Sequence, residues 1–378
     1  MEITIIRHDI SQFEAKLAEE LKKRGQNVSC ITLFKPKKEF EGFFEKTNFV
    51  FDEEFNVVST GKKIRLIFKY LLHLPKYLLN ILKTKDNILI GISEPNLFIS
   101  FVFLFLGLRN TKIYYPYDIT FFRYKNYKKN FWYNYMPESF NFRFSDAIIH
   151  KGPIDELSSL PNSYFVKNKP HLQFLPYCNK ERMIDTKNNK IKKISEKQKG
   201  THLVYVGGVT YNNSFIDTFK RIVDQGLFLH LYPTNYSDLI NDEEFMELCK
   251  KEFFVLHKPI YGKNLQREIA KYDWGLYIIY YKPEISKLWS ATMFGNKVSD
   301  YLEAGLPIIA NSDMQFVSTI LKEYNFGVVV KNPEEIKSTI SKIDYDKFIE
   351  QLDYNRGKFT FEKNIKKLEE FIYSVRKK

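Results

Sequence analysis

The chain begins with two short apolar runs separated by one helical pattern. The runs are Ile3–Ile6 and Val28–Leu33, and the apolar residues between them recur at helical spacing: Phe13, Leu17 and Leu21. Ser11 and Glu14 have the spacing of a capping box, and Gly25 is a typical helix stop. A strand, a helix and a second strand are therefore predicted, and a crossover of this length makes the two strands parallel.

The same alternation continues to about residue 178. Further strands are expected at Asn87–Ile92, Lys112–Tyr115, Ala147–His150 and Tyr164–Val166. Alternating strands and helices indicate a doubly wound domain, which we place at residues 1–180.

A second α/β domain follows a polar stretch. Residues 181–200 are rich in Lys, Asn, Glu and Gln and have almost no apolar periodicity, as is typical of a linker. A strand at His202–Val206 then ends at Gly207 and Gly208, and helices and strands alternate to about residue 333. We predict a second domain at 201–355 and a C-terminal helix at 356–378 that packs back on the first domain. The fold class is α/β, with two Rossmann-like domains facing each other across a cleft.

Composition supports a packed protein in a reducing compartment. Hydrophobic residues make up 44% of the 378 residues, which is too apolar for a disordered chain. The three cysteines show no paired spacing, so neither a disulfide framework nor a zinc site is indicated. No signal sequence is recognised at the N-terminus, and the longest apolar run, 97–108, is shorter than the ~20 residues of a spanning helix. We expect a cytoplasmic protein.

The net charge of +13 indicates attraction to polyanions such as nucleic acid, an anionic membrane leaflet or phosphorylated substrates. Two segments, 62–83 and 123–129, interleave basic with apolar and aromatic residues, and the first can be drawn as an amphipathic helix on a membrane surface. An ordinary solvated face explains each segment equally well. We treat peripheral binding to an anionic membrane as a hypothesis and expect no nucleic acid partner.

The most specific motif spans residues 296–310. Asn296 is placed to cap a helix, Lys297 lies in its first turn, and Asp300 follows on roughly the same side. Free backbone N–H groups and the ammonium of Lys297 would form a diphosphate site, and Asp300 would accept hydrogen bonds from ribose hydroxyls. Gly305 and Pro307 are what any helix needs to stop before a buried strand, so they carry no functional signal.

This segment resembles the nucleotide-sugar glycosyltransferases of GT-B fold, of the family 4-like or group 1 type. Their C-terminal domain has a stretch similar to NKxxEYLAAGLPVIA, and this chain reads NKVSDYLEAGLPIIA. Weaker similarities occur in the same order: LAEELKKRGQNVSCIT in the first domain, then LVYVGGVT and REIAKYDWGLYII in the second. The resemblance spans nearly the whole chain.

The resemblance implies a role for each matching residue. Lys297 and the start of its helix, including Asn296, would contact the donor diphosphate, and Asp300 would bind the ribose. Gly207 and Gly208 would let the loop approach the donor phosphates. Many retaining members have a Glu-x7-Glu pair, whereas this chain has Thr292 at the first position and Asp at the second. The stereochemical outcome therefore stays open.

The first domain is expected to supply the acceptor side and any catalytic base. His8 and Asp9 directly follow the first strand, where an inverting enzyme needs a general base. Asp118 follows another strand and is an equal candidate, although a helix cap or turn explains it as well. Glu138 and His150 are weaker candidates.

Other chemistries lack their required parts. The chain has no Walker-type phosphate loop, no dinucleotide-binding glycine motif, no nucleophile elbow and no zinc-protease motif. No metal-ligand cluster is recognised, and the resemblance implies an enzyme that needs neither a metal nor a cofactor beyond the nucleotide-sugar as co-substrate.

We therefore predict a metal-independent, hexosyltransferase-like glycosyltransferase that moves a sugar from a nucleotide-sugar donor to an acceptor hydroxyl. The acceptor is a glycan or a lipid-linked intermediate, and the setting is bacterial surface polysaccharide biosynthesis. Two alternatives stay open: a nucleotide-sugar epimerase of the same fold, and a non-catalytic basic binding protein on a degenerate glycosyltransferase scaffold.

Overall fold

The protein is described by a computed structural model. It describes residues 1–51, 88–93, 97–106, 110–116, 136–153, 163–185, 191–209, 213–260, 263–278 and 291–376. The chain divides into two compact units, the first comprising Met1–Leu175 with Asn364–Lys378 and the second Pro176–Lys363.

The first unit is an α/β unit with one parallel sheet. Its strands are β1 Glu2–Arg7, β2 Asn27–Phe34, β3 Thr47–Phe51, β4 Ile88–Ser93, β5 Thr111–Pro116, β6 Ala147–His150 and β7 His171–Gln173. Its helices are α1 Gln12–Lys23, α2 Lys38–Glu41, α3 Leu97–Leu106, α4 Met136–Phe144 and α5 Ser163–Val166. The strand order is β3-β2-β1-β4-β5-β6-β7, and every pair is parallel.

The second unit contains a six-stranded parallel sheet. Its strands are β8 His202–Val206, β9 Phe228–Tyr232, β10 Phe254–Leu256, β11 Trp274–Tyr277, β12 Ile308–Asn311 and β13 Gly327–Val330. The helices are α6 Asn213–Val223, α7 Tyr236–Leu239, α8 Glu243–Leu248, α9 Lys263–Ile269, α10 Lys297–Glu303, α11 Gln315–Glu323, α12 Ile336–Ile340 and α13 Tyr345–Arg356. The last helix, α14 Phe361–Val375, begins in this unit and continues in the first. The order is β10-β9-β8-β11-β12-β13, with all strands parallel.

Local signals in the sequence explain several of these elements. The capping box at the start of α1 is present, with Ser11 and Glu14 in both of its hydrogen bonds. All five residues of β8 are buried, as expected for a central parallel strand covered on both faces. One face of the second sheet packs into a large apolar core that includes Leu229, Leu231 and Leu276.

The C-terminal helix α14 ends in the first unit, as the sequence predicted. Glu369 forms an ion pair with Arg24 at 2.6 Å and accepts a hydrogen bond from Gln26 at 2.7 Å. The α/β fold class with parallel, doubly wound sheets is likewise confirmed.

Two expectations differ from the structure. Tyr164–Val166 is not a strand but part of the short helix α5, and the last strand of the first sheet is His171–Gln173. A run of three apolar residues is too short for its period to separate helix from strand. The predicted linker lies within the second unit, where Ser195 donates a hydrogen bond to Asp273 at 2.7 Å.

Candidate functional site

The loop after β8 is held in a defined shape. Gly207 has a φ of +110°, and its N–H donates to the carbonyl of Tyr232 at 3.0 Å. The Asn235 side chain clamps Val209, accepting from its N–H at 3.1 Å and donating to its carbonyl at 2.8 Å. The carboxyl end of β8 therefore carries a fixed glycine turn, the position where parallel sheets bind ligands.

Helix α10 is locked onto the sheet beside this turn by Tyr301. The ring is fully buried, and its hydroxyl accepts from the N–H of Val206 at 3.2 Å and donates to the carbonyl of Leu276 at 3.0 Å. Only glycine fits beneath the ring, because a Cβ at Gly275 would lie 2.5 Å from Cγ of Tyr301. These contacts set the position of the whole helix.

Lys297 extends from the first turn of α10 to the glycine turn. Its Nζ lies 3.7 Å from the centroid of the Tyr205 ring, and its Cε lies 2.7 Å from the place a Cβ would take at Gly207. Within the described residues, Nζ has no hydrogen bond or ion pair. Burial lowers the Lys297 pKa to about 7, against the opposing effect of Asp300. A half-buried lysine whose ammonium contacts an aromatic face, and no anion among the described residues, is an attractive site for an anion.

The two carboxylate oxygens of Asp300 have different surroundings. Oδ1 accepts a hydrogen bond from Gln266 at 3.2 Å and lies 3.5 Å from Nη2 of Arg182. Oδ2 has no donor among the described residues, and 24% of the side chain is exposed. Burial raises the Asp300 pKa to about 6, and Arg182, Lys297 and Gln266 oppose that rise in this order. Oδ2 is therefore the oxygen available to a hydroxyl donor.

Arg182 and Gln266 belong to this site, although the sequence did not indicate them. Both also contact Glu303, one helical turn beyond Asp300: Nε of Arg182 lies 3.1 Å from Oε2 of Glu303, and Gln266 donates to the same oxygen at 3.0 Å. The other oxygen of Glu303 accepts from the N–H of Asn179 at 2.7 Å. The spacing of Asp300 and Glu303 on one helix face was the available signal, since such a pair calls for a nearby cation or amide.

Asn296 was predicted to cap α10, but it does not. It occupies the N-cap position, but its backbone is already helical and its side chain makes no capping hydrogen bond. A capping residue needs an extended backbone to turn its side chain onto the first turn, so the capping prediction was wrong. Asn296 is exposed, and Thr292, at the position of the family's first Glu, is buried.

The candidates for a catalytic base lie in the first unit. His8 and Asp9 follow β1 directly, and burial together with the charge of Arg7 lowers the His8 pKa to about 4. Arg7 itself is ion-paired with the fully buried Glu14. His8 is therefore a neutral imidazole at pH 7, although a pKa this low makes it a weaker base than an ordinary histidine. Asp118 lies outside the described residues.

The two weaker candidates are core residues. Glu138 is fully buried in α4, and His150, 1% exposed, ends β6. Nδ1 of His150 donates to the carbonyl of Gly152 at 2.8 Å, and burial lowers the His150 pKa to about 4.

A chain of three histidines crosses the second sheet. His202 lies 2.9 Å from His230 (Nδ1 to Nε2), and His230 lies 3.0 Å from His257 in the same way. Nε2 of His202 lies 3.2 Å from the carbonyl of Gln198, which can only accept. With neutral rings, Nε2–H is then the donor in each of them. Burial and the charges of the other two rings lower the His230 pKa to about 3.

The described residues contain neither a candidate metal site nor a candidate membrane span. No group of three or more His, Cys, Asp or Glu side chains is arranged to hold a metal ion. No helix in the same residues is both long and apolar enough to cross a membrane.

Residues 203–358, less than half of the chain, match the model of the glucosyltransferase 3-like C-terminal domain. This match contains the glycine turn, Lys297 and Asp300. A search of curated proteins gives no match.

Solved structures resemble the whole chain. Sucrose-phosphate synthase from Thermosynechococcus elongatus has a TM-score of 0.68 at 13% identity, covering 99% of this chain and 100% of its own. Anabaena HepE, solved with UDP-glucose, has a TM-score of 0.64 at 10% identity, covering 99% and 100%. WaaG, a glycosyltransferase involved in lipopolysaccharide biosynthesis, has a TM-score of 0.63 at 11% identity, covering 98% and 99%.

At these identities the solved structures establish the fold alone. The family model matches residues 203–358, which lie in the second unit. The resemblance indicated by the motif at residues 296–310 is thereby confirmed: this chain has the GT-B fold of glycosyltransferases, with a region similar to the glucosyltransferase 3-like C-terminal domain at residues 203–358.

Proposed function

We propose that this protein is a glycosyltransferase that takes a sugar from a nucleotide-sugar and transfers it to an acceptor hydroxyl. The observation that carries the proposal is the ammonium of Lys297, half-buried beside Gly207 and without a hydrogen bond or ion pair in the described chain. A diphosphate would give this cation the partner that the described residues do not provide.

The second unit would bind the donor through two groups of opposite charge. Lys297 contacts the diphosphate and stabilises the negative charge that develops as the sugar bond breaks. Oδ2 of Asp300 accepts from a ribose hydroxyl, while Oδ1 stays with Gln266. Gly207 and Gly208 leave the turn without side chains on the phosphate side, and Asn296 lies at the exposed start of α10.

His8 is the general base that the first unit would offer in an inverting reaction. Its lowered pKa keeps the imidazole unprotonated at neutral pH, as accepting a proton requires, but a pKa of about 4 also makes it a weak base. Asp9 and Asp118 stay candidates for the same role. If His8 is the base, His8→Ala lowers kcat at least about a hundredfold and leaves donor affinity within about twofold. An unchanged kcat assigns the role elsewhere.

The acceptor is proposed to be a glycan or lipid-linked intermediate, in bacterial surface polysaccharide synthesis on the cytoplasmic side of a membrane. The net charge of +13 supports a polyanionic surface as a partner. Co-sedimentation with vesicles of neutral or anionic lipid tests this point. Binding to anionic vesicles alone is expected, and equal, negligible binding to both removes the membrane from the proposal.

Binding of nucleoside diphosphates tests the donor site. We expect UDP or GDP to stabilise the protein against heat, and Lys297→Ala to weaken affinity about 10- to 100-fold, the loss expected for one charged hydrogen bond. Lys322→Ala is the matched control, because Lys322 is an exposed lysine of α11. If neither a nucleoside diphosphate nor a nucleotide-sugar stabilises the protein, the proposal is contradicted. If an epimer of the sugar forms without an acceptor, the protein is an epimerase and not a transferase.

A further inference from the structure

Four side chains join α10 to two other segments of the second unit. Asp300 and Glu303 lie on one face of the helix, Arg182 comes from the short 3-10 helix Lys180–Arg182, and Gln266 comes from α9. Arg182 and Gln266 each contact both carboxylates, at distances between 3.0 and 3.5 Å. The group is therefore a closed bridge rather than a pair of separate contacts.

We infer that Arg182 is a positioning residue of the donor site, which holds the Asp300 carboxylate in place and in its charged form. This inference rests on the proposed function, because it concerns the aspartate assigned to the donor ribose. Arg182 acts through Asp300 and touches neither the donor nor the reacting atoms.

The contacts of each oxygen support this assignment. The approaches of Arg182 and Gln266 to Asp300 both end on Oδ1, so they fix the carboxylate from one side. Oδ2 accepts no hydrogen bond from any described residue. A carboxylate held by one oxygen has its other oxygen presented in a constant direction, as recognition of a hydroxyl requires.

Charge gives Arg182 a second effect. The charged groups that act on Asp300 are Arg182 and Lys297, and Glu303 shares the bridge as a second carboxylate. Arg182 is the first of the groups that keep the Asp300 pKa from rising further with burial. Lys297 is the second of these groups, and it still contributes near pH 6 because its own lowered pKa is about 7.

Arg182 is also anchored independently of any ligand. Its side chain is 17% exposed, and its partner Glu303 is 4% exposed and receives the N–H of Asn179. The guanidinium therefore stands in position before a donor arrives.

The test compares Arg182→Gln and Arg182→Lys with Arg221→Gln, which removes an exposed arginine paired with Glu334. The titration of Asp300 is followed in the ligand-free protein by carboxyl-carbon NMR, with Asp300→Asn to assign the signal. UDP and GDP affinities are then measured from pH 5 to pH 8.

Arg182→Gln is expected to raise the Asp300 pKa by about one unit or more, the usual effect of losing a neighbouring opposite charge. The acid limb of nucleotide binding should move upward with it. Arg182→Lys should give Asp300 the same pKa as in the wild type, because it keeps the charge. Its nucleotide affinity should still be lower than that of the wild type, because lysine lacks the planar guanidinium. Arg221→Gln changes neither measurement.

Two results would overturn the inference or its basis, and they are distinguishable. An Asp300 titration that is the same in the wild type and both Arg182 variants overturns the inference whatever the protein binds. A wild type that binds no nucleotide overturns the proposed function, and the titration then still decides whether Arg182 controls the charge of Asp300. If Arg182→Gln does not fold, Arg182→Met, which keeps the aliphatic stem and removes the charge, carries the same comparison with Arg182→Lys.

Discussion

Gly207 and Lys297 share one small volume: Cε of the lysine lies 2.7 Å from where a Cβ on the glycine would be. The two residues are far apart in sequence, and the family resemblance assigned both to the same ligand. The structure brings them together without a ligand. A side chain at position 207 would therefore occupy the place that Lys297 takes now.

Gly207→Ala is expected to displace Lys297 and weaken UDP affinity at least about tenfold, which corresponds to about 1.4 kcal/mol. The positive φ should also lower the free energy of unfolding by about 1–2 kcal/mol. Isothermal titration and urea unfolding measure the two effects.

Gly25→Ala separates these effects, because Gly25 also has a positive φ, +77°, but nothing lies within 4 Å of an added Cβ. It should lose stability and keep nucleotide affinity. Equal affinity losses in both variants would mean that backbone strain, and not Lys297, determines binding.

Nucleotide affinity should be greatest in a narrow range between about pH 6 and pH 7. Binding needs Lys297 protonated, a condition lost as the pH rises through its lowered pKa of about 7. It also needs Asp300 ionised, a condition lost as the pH falls through its raised pKa of about 6. Titration calorimetry from pH 5 to pH 8.5 measures both limbs.

Lys297→Arg should remove the alkaline limb and keep the acid limb, since a guanidinium stays protonated throughout. An alkaline limb that persists in this variant would show that another group is responsible.

Tyr301→Phe should lower the free energy of unfolding by about 1–3 kcal/mol, because it leaves buried backbone groups of β8 and β11 without the hydroxyl. Nucleotide affinity should fall as well, since the same hydroxyl fixes α10. Tyr354→Phe is the control: Tyr354 is 70% exposed, and its change should stay within about 0.5 kcal/mol. Equal effects of the two variants on urea unfolding would contradict this role of Tyr301.

Acid should destabilise the protein below about pH 6.5. His150 and His230 have pKa values lowered to about 4 and about 3, so the unfolded chain binds protons that the folded one excludes. Their contribution is complete above pH 6.5 and is lost as the pH falls toward 4, by at most about 1.4 kcal/mol per pH unit for each ring.

Urea unfolding at several pH values tests this, with His230→Phe compared with Tyr354→Phe, the exposed control. The slope of stability with pH should decrease only in the first variant. The same slope in both would place the proton uptake elsewhere.

The part of the site that the sequence predicted depends on local signals. The motif at 296–310 predicted a helix with Lys297 in its first turn and its end before Gly305, and α10 is observed at Lys297–Glu303. Arg182 could not be predicted, because its contacts with Asp300 and Glu303 join segments that no local period connects. Asn296 shows the limit of local rules, since a typical capping residue lies at the helix start without capping it.

Because the first unit is made from Met1–Leu175 and Asn364–Lys378, its polypeptide is interrupted, whereas Pro176–Lys363 is continuous. During translation, Arg24 and Gln26 are therefore synthesised before the continuous unit, and their partner Glu369 is synthesised after it. The continuous unit can be completed on the growing chain, whereas the interrupted one can be completed only after the whole of the continuous unit has been synthesised. The usual order, in which the N-terminal part folds first, is thus reversed in its final step.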